Sequence, residues 1–224
     1  MNREVLIDIR DLTKKFNNVP VIDRLSIQFH AGDRVALIGQ NGAGKTTLIR
    51  CILGLYTFEG FLEVLRKSPR KEREEVLQYV GFVPQLPPPL KMTVAEIMEF
   101  FAVITGNDRD KFYEITQALK LDVDEQKNKP FLKLSGGMKQ KLLVALALSR
   151  NPKILLMDEP TANLDPEARK VLVNYLETLP EDTLLILSSH RVKEIGHLVN
   201  RLVEMDLGKI VVDEPYTGEL TEEC

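Results

Sequence analysis

The chain has 224 residues, 30 Lys and Arg against 33 Asp and Glu for a net charge of −3, with 44% hydrophobic and 28% charged residues. These values exclude collagen-like, low-complexity and disordered chains, and the length suits one generous α/β domain with a real core. The slightly acidic balance provides no overall basic footprint for nucleic-acid phosphates or anionic lipid.

The longest unbroken apolar run, Leu142 to Leu148, has seven residues, against roughly 18 to 20 for a membrane-spanning helix. The opening Met1-Asn2-Arg3-Glu4 leads into alternating Val5-Leu6-Ile7-Asp8-Ile9 and not into a signal-like apolar stretch, so a cytosolic location is expected. Cys51, inside an apolar helical pattern, and Cys224, at the terminus, form neither a disulfide framework nor a metal-ligand spacing.

In chain order, Val5 to Ile9 and Leu25 to Phe29 alternate as half-buried strands do, whereas Val35 to Ile38 is continuously apolar like a strand covered on both faces. Arg66 to Glu75, with charges of both signs, reads as a solvated loop and helix face. A short apolar run follows at Val80 to Val83. From Pro87 to about Pro152 the pattern holds only helices: Val94 to Ile104, opened by the capping box Thr93-Val94-Ala95-Glu96, then Asp110 to Leu119 and Met138 to Ser149. Strand runs return at Ile154 to Met157 and Leu184 to Leu187. An α/β fold with an antiparallel edge sheet, a central parallel sheet and an inserted helical subdomain over about 86–152 is predicted, with 1–85 and 153–224 forming the rest of a single domain.

The strand Val35 to Ile38 runs into Gly39-Gln40-Asn41-Gly42-Ala43-Gly44-Lys45-Thr46, a phosphate loop in its required strand, loop and helix context. Gly39, Gly42 and Gly44 let backbone N–H groups of the loop, those of Asn41 and Ala43 included, curl round phosphate oxygens. Lys45 reaches the β and γ phosphates, the Thr46 hydroxyl ligates Mg²⁺, and Thr47 adds a further phosphate contact. Asp158 and Glu159 emerge at the carboxyl end of the second buried strand, where ligands of open α/β sheets sit; Asp158 is expected in the Mg²⁺ shell and Glu159 as the group that orients or deprotonates water. His190 follows Leu184 to Leu187 at another strand end, placed to donate to a γ-phosphate. Ser135-Gly136-Gly137 opens a helix and forms a second glycine-rich anion site in a chain with one phosphate loop, which suggests two chains with each site completed by the other.

With Leu134-Ser135-Gly136-Gly137-Met138-Lys139-Gln140 in place, the sequence resembles the nucleotide-binding subunits of ABC (ATP-binding cassette) transporters. The match runs through the phosphate loop, Val83-Pro84-Gln85, the Leu134 to Gln140 signature, Asp158 and Glu159, Ala162-Asn163-Leu164-Asp165 and His190, in family order and covering nearly the whole chain. The resemblance implies a P-loop NTPase core that binds ATP and Mg²⁺ and hydrolyses ATP, with Gln85 touching the metal and sensing a membrane partner, and Asp165 coupling the two sites of a dimer. It implies an adenine-stacking aromatic at Phe16, where the family usually has Tyr; the ring face is kept and the hydroxyl lost.

It further implies two partners, a separate integral-membrane transporter subunit and a second copy of the chain in an ATP sandwich, at the cytoplasmic face of a membrane and without nucleic acid. Met138-Lys139-Gln140-Lys141 after the glycines is similar to cassettes of ABC-2-type exporters, including those serving copper-enzyme maturation, and unlike the Gly-Gly-Gln form common in importers. An apolar groove for the membrane partner is expected from Leu86, Leu90, Met92, Phe100 and Phe101. The alternative, a soluble ABC-type ATPase acting on nucleic acid or ribosomes, would be expected to show paired cassettes, coiled coils or basic arms, and this sequence has none of them.

Overall fold

A computed structural model describes residues 3–105, 109–189 and 195–217. His190 and Cys224, both singled out by the sequence, lie outside the described residues.

The first two strands, β1 (Val5–Phe16) and β2 (Val19–His30), form a long antiparallel hairpin. Asn17 and Asn18 at its tip both hold left-handed backbone, φ 50 and 64, as a two-residue turn that matches strand twist requires. Both strands outrun the alternating segments because each carries a bulge that breaks the period of two. Asp11 and Arg24, at φ 50 and 47, fall at two of the four shifts in the β1–β2 register. Each is held from across the ladder: Asp11 N–H donates to Ser26 Oγ at 2.9 Å and Arg24 N–H to Thr13 Oγ1 at 3.1 Å.

The chain then lays down β3 (Arg34–Ile38), α1 (Lys45–Ile52), β4 (Glu59–Val64), α2 (Arg73–Leu77) and β5 (Val80–Val83). Helices α3 (Val94–Thr105), α4 (Arg109–Ala118), α5 (Val123–Gln126) and α6 (Gly136–Leu148) follow without a strand. The remaining elements are β6 (Ile154–Asp158), α7 (Pro166–Glu177), β7 (Leu184–Ser188), β8 (Arg201–Asp206) and β9 (Lys209–Pro215). The architecture is the predicted α/β class, with a mixed central sheet, an antiparallel subdomain and an inserted helical segment.

These elements form two compact units, the first comprising Met1–Val80, Lys153–Asp158 and Pro180–Cys224. It holds a three-stranded antiparallel sheet in the order β2-β1-β4 and a larger sheet in which β6, β7, β3 and β8 run parallel and β9 closes the edge antiparallel. Beside β6 this sheet takes the start of β5, where Ile154 N–H donates to Tyr79 O at 3.0 Å. Every residue of β6 and β7 is buried, which is why both read as unbroken apolar runs.

The second unit comprises Gly81–Pro152 and Glu159–Leu179. The capping box at its first long helix forms as the sequence predicts: Thr93 N–H donates to Glu96 Oε2 at 2.7 Å and Glu96 N–H to Thr93 Oγ1 at 3.3 Å. The Thr93 backbone N–H, and after it the Thr93 hydroxyl, which also donates to Glu96 Oε2 at 2.9 Å, hold the Glu96 carboxyl below its usual range. Helix α6 buries residues on every side from Leu142 to Leu148, as a helix at the centre of a bundle does. α4 packs against it, and α7 is tied to the α4 region by Tyr175 Oη to Glu114 at 2.9 Å and Lys120 to Glu167 at 2.7 Å.

In the first unit Asp33 is 1% exposed and accepts from Arg3 at 2.6 Å, Arg201 at 2.7 Å and the His30 N–H at 2.9 Å. Arg201 also forks onto Asp213 and crosses the Phe29 ring at 5.4 Å, so one carboxylate joins the start of the chain, β2, β3 and the β8–β9 hairpin. Truncating one partner of a buried ion pair leaves the other charge uncompensated. Asp33→Ala is therefore expected to lower stability by about 3 kcal/mol or more, read from the urea unfolding midpoint, while Arg3→Ala, whose side chain is largely exposed, costs far less.

Candidate functional site

The phosphate loop leaves the end of β3 in the middle of the parallel sheet, between β7 and β8. Gly39, at φ 136, and Gly44, at φ 108, hold backbone that L residues avoid, and neither has room for a side chain. A Cβ would lie 2.1 Å from Met205 O at Gly39 and 2.9 Å from Val21 O at Gly44. Gly208 N–H donates to Ala43 O at 3.0 Å from the other side. Gly42 and Asn41, by contrast, are exposed, and a Cβ on Gly42 would meet nothing within 4 Å. The loop is thus held from behind by backbone and open in front.

Lys45, the first residue of α1, is 7% exposed, and its Nζ donates to the loop carbonyls of Gly39 at 2.6 Å and Gln40 at 3.0 Å. Next to it Thr46 Oγ1 donates to Asp158 Oδ2 at 2.7 Å, and Ser188 Oγ donates to Asp158 Oδ1 at 2.6 Å. Asp158 is 3% exposed and makes no ion pair among the described residues. Two neutral hydroxyls orient it without cancelling its charge. A buried carboxylate and a hydroxyl within hydrogen-bond distance are hard oxygen donors of the kind Mg²⁺ takes, one or two from protein with the rest from phosphate and water. Among the described residues no cluster of three or more His, Cys, Asp or Glu offers a cage for a metal held by protein alone.

On the edge of the same unit Phe16 ends β1, 40% exposed, and meets Tyr56 edge-on at a centroid distance of 5.3 Å. Thr47 stands half-buried in the first turn of α1.

The second unit carries the remaining sequence-predicted residues. Ser135 caps α6, its Oγ accepting from Met138 N–H at 3.2 Å. Ser135 and Gly136 are exposed, and a Cβ on Gly136 would meet nothing within 4 Å. The helix start therefore offers unhindered N–H groups and the positive end of a 13-residue dipole. Gln85 is exposed after β5. Glu159, directly after Asp158, has φ 49 and is half-buried. Asp165 caps α7 through Ala168 N–H at 2.9 Å and pairs with Lys141 at 2.9 Å. The Ala168 bond, then Lys141, brings its pKa down to about 2. Because the folded value is depressed, this support of α7 is complete above the unfolded value near ~3.9 and fades as pH falls toward about 2.

Three residues carry contacts to which the sequence reading assigned no role of their own. Ser188 pairs with Asp158 in the β6–β7 register, and its place at the end of an apolar run next to His190 was the available signal. Gln140, fully buried in α6, donates from Nε2 to Pro160 O at 3.3 Å and Pro84 O at 3.5 Å, linking the residues that flank Glu159 and Gln85. Lys14 shares a strand face with Phe16 two residues on, which spacing alone would have shown.

The fold and this site define a P-loop nucleotide-binding domain of the α/β class. The family model described as ABC transporter matches residues 22–162. The chain belongs to the ABC transporter family, and within it is an ATP-binding cassette, the ATPase component. It is 34% identical over 219 residues to the Nod factor export ATP-binding protein I of Cupriavidus pinatubonensis, covering 94% of this chain and 67% of that protein. It is 34% identical over 203 residues to the cholesterol transporter ABCA5 of Homo sapiens, covering 88% of this chain but 12% of that far longer protein. Among solved structures, a dimeric post-hydrolysis state of an ATP-binding cassette bound to ADP and Pi superposes with a TM-score of 0.81 at 21% identity, over 95% of this chain and 100% of that one. Among the described residues no helix is long and apolar enough to cross a membrane.

Ser188→Ala removes one of the two donors to a buried carboxylate, which costs about 1–3 kcal/mol when nothing replaces it. The variant is expected to unfold at lower urea concentration than wild type, with a smaller loss for Ser188→Thr, which keeps the hydroxyl.

Proposed function

We propose that the chain is the ATP-hydrolysing subunit of an exporter, working as a single ABC ATPase domain that closes with a second copy over ATP and drives a separate integral-membrane subunit from the cytoplasmic face. The observation that carries this reading is the junction of Thr46, Asp158 and Ser188 beside Lys45. It is a buried, oriented and uncancelled carboxylate at the foot of a phosphate loop.

The residues take the following roles. Gly39, Asn41, Gly42, Ala43 and Gly44 present loop N–H groups to phosphate, and Lys45 exchanges the carbonyls of Gly39 and Gln40 for phosphate oxygens. Thr46, Asp158 and Gln85 would hold Mg²⁺, which would offset negative charge on the nucleotide's phosphates. Thr47 adds a phosphate contact, and Phe16 stacks on adenine. Glu159 accepts a proton as a water oxygen attacks the γ-phosphorus and the bond to ADP breaks. His190 donates to the γ-phosphate.

Ser135, Gly136 and Gly137 face the phosphate of the other copy, which explains why a well-formed anion site starts α6 in a chain with one phosphate loop. The half-buried Phe101 and the exposed Leu86 and Phe100, with Leu90 and Met92, supply the apolar surface for the membrane subunit. Export rather than import follows the Nod factor relative and the Met138-Lys139 signature, and the ABC-2-type subclass, with copper-enzyme maturation among its tasks, rests on that signature.

Two experiments test this. Glu159→Gln keeps shape but takes no proton, so it is expected to bind ATP, dimerise on a sizing column and lose hydrolysis, whereas Lys45→Ala loses binding and stays monomeric. A Glu159→Gln protein that still hydrolyses ATP removes Glu159 from the role of base.

Mixing Lys45→Ala with Ser135→Arg tests the shared site. A mixed dimer holds one doubly defective and one intact site, so random pairing predicts roughly a quarter of wild-type activity from two inactive proteins if the sites fire independently. No recovery, together with wild-type protein that binds and hydrolyses ATP as a monomer, means that each site is contained in one chain.

A further inference from the structure

Lys14 is 9% exposed although it carries a charge. Its Nζ lies 4.6 Å from the centroid of Phe16 and 5.3 Å from that of Tyr56, and donates weakly to Thr57 Oγ1 at 3.5 Å. The two rings meet edge-on at 82°, forming a corner around the ammonium. Among the described residues no carboxylate pairs with Lys14; the nearby acid Glu59 is taken by Lys15 at 3.3 Å. Arg50 closes the far side of Tyr56, donating to its hydroxyl at 2.7 Å. A buried cation without an acid is costly unless something compensates, and here the negative faces of two aromatic rings do so.

The consequence falls on Phe16. Lys14 is buried and Phe16 is 40% exposed, so a ring that carries the ammonium over it still shows surface to solvent. A cation on one face draws π density toward itself and leaves the opposite face electron-poor, which favours stacking with an electron-rich ring.

We propose that Lys14 is a positioning residue for the nucleobase: it fixes the Phe16 ring in the corner with Tyr56 and turns its exposed face into an electron-poor platform for a purine. This rests on the reading of Phe16 as the adenine-stacking residue. It adds that the platform is tuned by a charge beneath it, and that purine is preferred over pyrimidine for that reason.

The test compares dissociation constants of Mg-ATP, Mg-UTP and Mg-tripolyphosphate, which lacks a base, for wild type, Lys14→Met, Lys14→Arg and Phe16→Ala. Lys14→Met keeps the apolar stem and removes the charge; Lys14→Gln stands beside it should the first fold poorly. The expected result is a loss of about three- to tenfold in ATP affinity for Lys14→Met, a smaller loss for UTP, no loss for tripolyphosphate, and near-complete retention in Lys14→Arg, which restores a cation over the ring. ATP binding by Lys14→Met equal to wild type, while Phe16→Ala is weakened, overturns the role of Lys14 and leaves Phe16 in place. Equal losses for ATP and tripolyphosphate also overturn it, since the lysine would then be supporting the fold. Unchanged ATP binding in Phe16→Ala removes the platform itself.

Discussion

The carboxylate of Asp158 is gripped by two hydroxyls, and the geometry of the phosphate site depends on that grip. Thr46 reaches it from the start of α1 and Ser188 from the end of β7, so three strand ends, β3 through its loop, β6 and β7, are fixed to one another at a single point. The register makes this possible: Asp158 lies opposite Ser188, and Ser188 opposite Leu37 of β3. A slip of one residue in either pairing would turn Ser188 to the other face of the sheet and leave a buried acid with one donor.

The first unit contains a second buried aspartate, and the contrast is instructive. Asp33 is neutralised by two arginines and joins distant parts of the chain; its charge is consumed internally. Among the described residues Asp158 accepts from two neutral hydroxyls and makes no ion pair, so its charge is left unspent beside the phosphate loop. Similar burial thus serves architecture in one case and cation binding in the other, and the partners decide which.

Much of this was legible in the sequence because it rests on local rules. The glycine spacing of the phosphate loop, the Thr93 and Glu96 cap and the buried runs of β6 and β7 each depend on a few adjacent residues. What escaped depends on pairing across the chain. The β1–β2 hairpin outran its alternating segments because the bulges at Asp11 and Arg24 shift the period. The β8–β9 hairpin, turning at Leu207 and Gly208 with φ 44 and 78, was missed for want of a clean alternation on an exposed edge. Ser188 and Gln140 acquire meaning only from the strand or loop that folds against them, and no short window on the sequence contains both members, whereas Lys14 lies two residues from Phe16 and its role depends on burial that spacing does not report.

The phosphate loop is backed by main chain from Val21, Met205 and Gly208, which belong to a strand and a hairpin that never approach the loop in sequence. Its conformational entropy is therefore surrendered when the sheet folds, not when a nucleotide arrives. Binding then meets a preorganised cradle, and a larger share of the phosphate interaction survives as affinity. The same construction makes the site vulnerable at a distance: drift in the β8–β9 hairpin loosens the loop without touching any residue that contacts a ligand, so the backbone course of an edge hairpin is under the same functional constraint as the glycines themselves.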